Sequence, residues 1–249
     1  MKKRKLLLLP GWSMDSSVWK PVIPFLSNYF NLVYCDWNGI EHAGGYVTKV
    51  QSLVDKEKGN LCLMGWSLGS LLAIDAAYKN QDRIDRIILI SGTSRFIREK
   101  KTNYLCGWPE STLERMKASL DNDIERTVSL FHSSIFNTEE MANAKYEDFI
   151  KTIDAGNKKG NKELQAGLEL LLQTDLRHLL PDIEVPILLI HGEKDTICPA
   201  CASEYIAGHA KGKSVLNIIA GVGHAPFLTA TDEFEKLIKA FIQQGENDD

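Results

Sequence analysis

No apolar run in this 249-residue chain approaches the length of about 20 that a membrane-spanning helix needs, which argues against an integral membrane protein. The basic start Lys2-Lys3-Arg4-Lys5 followed by Leu6-Leu7-Leu8-Leu9 resembles the opening of an export signal. It stops at Pro10-Gly11, short of the roughly 7–15 apolar residues of such a core. A buried first strand fits these leucines better, and the chain is expected to be cytoplasmic. An excess of either charge is also missing. Lys and Arg number 29 against 33 Asp and Glu, a net charge of −4 with no strongly basic stretch, so a nucleic-acid groove is not expected. Cysteine is sparse: Cys35, Cys62, Cys106, Cys198 and Cys201 are odd in number and scattered, which predicts reduced thiols. Cys198-Pro199-Ala200-Cys201 has no second C-x-x-C and no paired-histidine motif to complete a zinc site, and no metal or organic cofactor is implied. At a helix start the same pair could act as a redox dithiol, because the helix N-terminus lowers a thiol pKa.

What is present is an ordinary globular composition, 44% hydrophobic and 25% charged. The length suits one α/β domain with an insertion, or two small domains. Near-continuous apolar runs predict strands over 5–9, 31–35, 61–64, 86–90, 187–190 and 214–218, the pattern of a parallel sheet buried on both faces. Helical patterns over 17–26, 46–56, 70–79, 200–207 and 232–244 alternate with them. The alternation fails between Ser94 and about Asp175, where amphipathic helices are expected over 110–120, 124–131, 139–154 and 162–173. The expected division is a core of residues 1–94 and 176–249 carrying a helical cap of residues 95–175. Gly245 to Asp249 reads as a frayed acidic tail.

The most informative motif is Gly65-Trp66-Ser67-Leu68-Gly69, a G-x-S-x-G between a strand pattern and a helix pattern. That context predicts a nucleophile elbow, in which Ser67 occupies a strained turn and the flanking glycines let strand and helix approach. The competing reading is a glycine-rich turn with a capping serine. A serine hydroxyl needs a base, and the base an orienting acid. His42, His132, His178 and His209 lie in polar or helical stretches and read as surface or satisfied histidines. His191 ends an apolar strand. His224, in the flexible loop Gly221-Val222-Gly223-His224 after the last strand, is the best base. Asp195, in His191-Gly192-Glu193-Lys194-Asp195, is the best acid, with Asp36 as a competitor in the wrong chain order. Ser67, Asp195 and His224 then follow the order of a serine hydrolase with its nucleophile on such an elbow.

The chain resembles the α/β-hydrolase superfamily over nearly its whole length, through the elbow, the segment Val185 to Asp195 and the loop Gly223-His224-Ala225-Pro226-Phe227. Within it the likeness is to the pimeloyl-[acyl-carrier protein] methyl ester esterases of biotin synthesis. The matching residues are Gly11-Trp12 with Trp19, Gly65 to Gly69, Arg126-Thr127-Val128 with Phe131, Gly167-Leu168-Glu169-Leu170, Thr174-Asp175-Leu176-Arg177 and His224 to Phe227. The resemblance implies an α/β-hydrolase fold and a serine carboxylesterase acting on a small-molecule or carrier-protein-bound ester. It implies an oxyanion hole from the backbone N–H groups of Trp12 and Leu68. It places Phe131 in the wall of an acyl pocket and Arg126 at a basic position that holds the acidic carrier. The family's other basic cap positions fall on Leu130, Asn143 and Glu147, with Lys145, Lys151, Lys158 and Lys159 nearby, and Pro10-Gly11 stands where many members have His-Gly. Other readings are a general short-chain esterase, a C–C hydrolase or an acyltransferase, and, outside catalysis, a ligand-binding protein of the same fold.

Overall fold

In the computed structural model, residues 3–57, 59–142, 144–156 and 159–244 are described. Asn143, Lys158 and the expected acidic tail lie outside the described residues. Six parallel strands form one sheet: β1 (Arg4–Leu9), β2 (Phe30–Tyr34), β3 (Leu61–Trp66), β4 (Ile84–Ile90), β5 (Ile187–Gly192) and β6 (Ser214–Ile219), in the spatial order β2-β1-β3-β4-β5-β6. The four inner strands are the most apolar runs, and β3 and β5 are buried along their whole length. β2 and β6 sit at the edges and keep partly exposed residues. Burial on both faces is what an all-parallel sheet demands.

Helices flank the sheet: α1 (Ile23–Tyr29), α2 (Ala43–Lys56) and α3 (Leu68–Lys79). The helix expected over 17–26 is broken. A 3-10 turn, Ser16–Trp19, capped by the Asp15 side chain, ends before Pro21, and α1 begins afresh with Pro24 in its first turn. Proline lacks the N–H that would continue the first helix and is tolerated only at the start of the second.

Between β4 and β5 the chain carries α4 (Glu110–Asn122), α5 (Ile124–Ser134), α6 (Thr138–Met141), α7 (Ala144–Gly156) and α8 (Asn161–Gln173). The single helix expected over 139–154 is two: the short α6, started by a capping box of Asn137 and Glu140, and α7. The two ends of this helical segment meet at an antiparallel bridge between Arg95 and Asp175, where Arg177 also bonds Asp175 at 2.7 Å and Glu99 at 2.8 Å. The chain closes with α9 (Cys201–His209), α10 (Pro226–Thr229) and α11 (Thr231–Gln244). No described helix is long and apolar enough to cross a membrane.

The expectation of five reduced thiols is overturned. Cys106 and Cys201 form a disulfide with Cα atoms 5.5 Å apart across a sequence separation of 95. The fold brings the start of the helical segment onto the start of α9, a juxtaposition that cysteine spacing does not encode. A Cys198–Cys201 dithiol pair is not formed either: Cys35, Cys62 and Cys198 are the free cysteines, and all three are buried.

Candidate active site

The sheet is parallel, so the segments leaving the ends of β1, β3, β5 and β6 gather at one edge, where open α/β sheets carry their ligands. Trp12, Ser67, Asp195 and His224 lie on those four segments. Ser67 is the residue between β3 and α3, with φ +55° and ψ −117°, and its hydroxyl makes no capping bond to the helix. The capping-serine reading therefore fails. The crossing of strand and helix is so close that a Cβ on Gly65 would lie 2.3 Å from the Gly69 carbonyl oxygen, and one on Gly69 2.0 Å from that of Leu9. Only glycine fits at either position.

His224 Nδ1 stands 2.7 Å from Asp195 Oδ2, with both side chains buried. The other Asp195 oxygen accepts from the backbone N–H groups of Ile197 and Cys198, each at 2.9 Å, so the carboxylate also stitches its own turn. Burial alone would raise the Asp195 pKa. The facing imidazoles of His224 and His191 more than offset it, holding the carboxyl below its ordinary value. With Asp195 ionised, Nδ1 of His224 carries the proton and Nε2 is left as the acceptor. Nε2 is buried and has no hydrogen-bond partner among the described residues. Cys198 lies beside Ser67, and burial and then the Asp195 charge push its pKa well up, so it is a neutral thiol. The Trp66 indole fixes the loop by donating to the His224 carbonyl at 2.8 Å.

Trp12 is buried. Its indole donates to the Leu164 carbonyl at 2.9 Å and meets the Phe131 ring edge-on at 4.8 Å. Leu68 is the first residue of α3, so its N–H has no intrahelical acceptor. Phe131, on α5, also lines a cavity of 290 Å³ with Trp108, Met116, Thr127 and Leu130. Arg126 is not brought to the site: it is exposed on α5, next to an exposed Leu130. Asp36, the rival acid, receives the Ser16 N–H at 2.6 Å and takes no part at this edge.

Four residues escape sequence reasoning. His191 is fully buried, with Nε2 2.6 Å from the Cys198 carbonyl and 3.1 Å from Asp195 Oδ2. Its position four residues before Asp195 is the one available signal. Cys198 sits against Ser67, His132 bonds Ser13, and Glu140 bonds Gly223, all contacts across the fold with no local pattern. Among the described residues, no group of three or more His, Cys, Asp and Glu side chains is arranged to hold a metal ion.

The family described as alpha/beta hydrolase fold matches residues 5–231. The pimeloyl-[acyl-carrier protein] methyl ester esterase of Nitrosomonas europaea is 32% identical over 92% of both chains. That of Photobacterium profundum is 28% identical over 96% of this chain and 94% of its own. An esterase from Exiguobacterium antarcticum superposes with a TM-score of 0.84 over 97% of this chain and 92% of its own; at 19% identity that likeness speaks for the fold alone.

Proposed function

Since the chain belongs to the α/β hydrolase fold family and is a carboxylic ester hydrolase, we propose that it works as a serine esterase with Ser67 as nucleophile, His224 as base and Asp195 as orienting acid. One observation carries this reading: a buried histidine bonded through Nδ1 to a buried carboxylate presents an Nε2, unpaired among the described residues, at the sheet edge that holds the Ser67 elbow.

Ser67 turns its hydroxyl to His224 Nε2 and attacks the ester carbonyl as the imidazole takes its proton. The N–H groups of Trp12 and Leu68 receive the oxyanion. Asp195 stabilises the imidazolium without taking the proton. His224 returns the proton to the departing alkoxide, then activates a water that frees the acid and regenerates Ser67. The residues 95–175 serve as the cap, and the cavity beside Phe131 receives the acyl chain one ring away from the Trp12 donor.

The proposed substrate is a pimeloyl-[acyl-carrier protein] methyl ester, as the names of the relatives suggest, with Arg126 as a contact for the acidic carrier. The chemistry is tested with a short-chain p-nitrophenyl ester on wild type and Ser67→Ala; equal hydrolysis by both sinks it. The substrate is tested by restoring biotin-independent growth to a strain lacking this esterase step. A wild-type gene that fails to restore growth, although its product cleaves simple esters, removes the carrier-bound substrate and leaves the esterase.

A further inference from the structure

Resting on the esterase reading, we propose that residues 132–140, from the last turn of α5 into α6, are the positioning element of the catalytic centre, with His132 holding the Trp12 loop and Glu140 the His224 loop. The two loops lie on opposite sides of Ser67 and have no regular structure of their own. Backbone groups in such loops must find partners, and the partner decides where the loop sits.

On the oxyanion side, three consecutive residues are tied to the helical segment. The Trp12 indole donates to Leu164, Ser13 Oγ lies 2.8 Å from His132 Nε2, and the Met14 carbonyl accepts from Lys159 Nζ at 2.5 Å. Ser13 and His132 are both buried, and Ser13 holds φ +63°. A strained turn persists only when its surroundings hold it. That turn follows directly on the Trp12 N–H.

On the other side, two consecutive N–H groups of the histidine loop end on the same short stretch. Gly223 donates to Glu140 Oε1 at 3.0 Å and His224 to the Ile135 carbonyl at 2.8 Å. Asn137 Nδ2 donates to the Gly221 carbonyl at 2.9 Å. Thr229 Oγ1, just beyond His224, donates to Glu140 Oε1 at 2.6 Å, while Glu140 Oε2 accepts the Asn137 N–H at 2.9 Å. Glu140 is buried, and every partner named is an N–H or O–H donor rather than a cation. One stretch of chain thus sets the direction of the Trp12 N–H and the reach of the His224 ring.

The test compares intact wild type with Glu140→Ala, Glu140→Gln, His132→Leu and His132→Asn. The readouts are kcat and KM on a p-nitrophenyl ester from pH 5 to 9, melting temperature, and the downfield Nδ1 proton resonance of His224. Glu140→Ala is expected to lower kcat 10- to 100-fold with KM within twofold. It should also shift or broaden the Nδ1 proton, because the ring is loosened from Asp195. Gln, which keeps an acceptor for Gly223, recovers most of kcat. His132→Leu lowers kcat about tenfold and leaves the Nδ1 resonance in place; Asn recovers it. Ser67-dependent hydrolysis with kcat and Nδ1 resonance unmoved in Glu140→Ala overturns the proposal, as does Gln no better than Ala. A moved Nδ1 resonance without Ser67-dependent hydrolysis retains the positioning role and removes the esterase reading.

Discussion

The indole nitrogen of Trp66 donates to the backbone carbonyl of His224 at 2.8 Å, and Trp66 is the residue immediately before Ser67. One side chain therefore ties the elbow to the histidine loop across a sequence separation of 158. Trp66→Phe keeps an aromatic ring against Phe227 but leaves a buried carbonyl unpaired, at a cost of about 1–3 kcal/mol. The expected result is a kcat lowered about tenfold and a melting temperature lower by several degrees, measured by ester hydrolysis and calorimetry.

Asp195→Asn preserves shape and removes charge. The neutral amide no longer sets the His224 tautomer, and kcat should fall by about 10⁴ with KM little changed. Stability changes as well. The Asp195 pKa lies below its ordinary 3.8 in the fold, so the unfolded chain takes up that proton first as the pH drops. The stabilisation is present above about pH 4 and lost as the pH falls further. Acid unfolding curves of the two proteins should differ there, with Asn the shallower.

His132 gives a second pH dependence in a different window. Burial lowers its pKa from 6.5 to about 4. Its stabilising neutral form is complete above pH 6.5, and stability falls as the pH drops from 6.5 to about 4, by about 3 kcal/mol at most. His132→Asn keeps a polar partner for Ser13 and removes the ionisation. Melting temperatures at pH 7 and pH 5 should diverge for wild type and stay close for the variant.

Thiol counting separates the cysteines. Burial raises the pKa of Cys35 and Cys62, and burial with the Asp195 charge raises that of Cys198. Iodoacetamide at pH 8 should label none of them in the folded protein, because the thiolate is the reactive form. In denaturant without reductant, mass spectrometry should find Cys35, Cys62 and Cys198 labelled, and Cys106 and Cys201 added only after reduction.

The strands were legible because parallel-sheet burial leaves apolar runs such as Leu6–Leu9 and Ile187–Ile190 with little else to be. Ser67 was legible because the crossing of β3 and α3 tolerates only glycine at 65 and 69. Asp195 and His224 follow strands in a recognisable order. His191, Cys198, His132 and Glu140 were not legible. Glu140 has the sequence context of a solvated helix-start glutamate, and only the folded chain brings Gly223 and Thr229 to its carboxylate. The helix break at Pro21 was locally visible, yet the apolar periodicity across it suggested continuity. The Cys106–Cys201 link depends on where the helical segment lands on α9, which no spacing rule carries.

That link makes the chain from Cys106 to Cys201 a closed covalent ring containing α4 to α8 and β5. A protease that cuts an exposed turn inside it, such as Asp123 between α4 and α5, converts the ring to a linear chain without releasing a fragment. The nicked protein should run as one band without reductant and as two with it. Both halves of the proposed site, Ser67 on one piece and Asp195 with His224 on the other, would remain covalently joined after the backbone between them is severed.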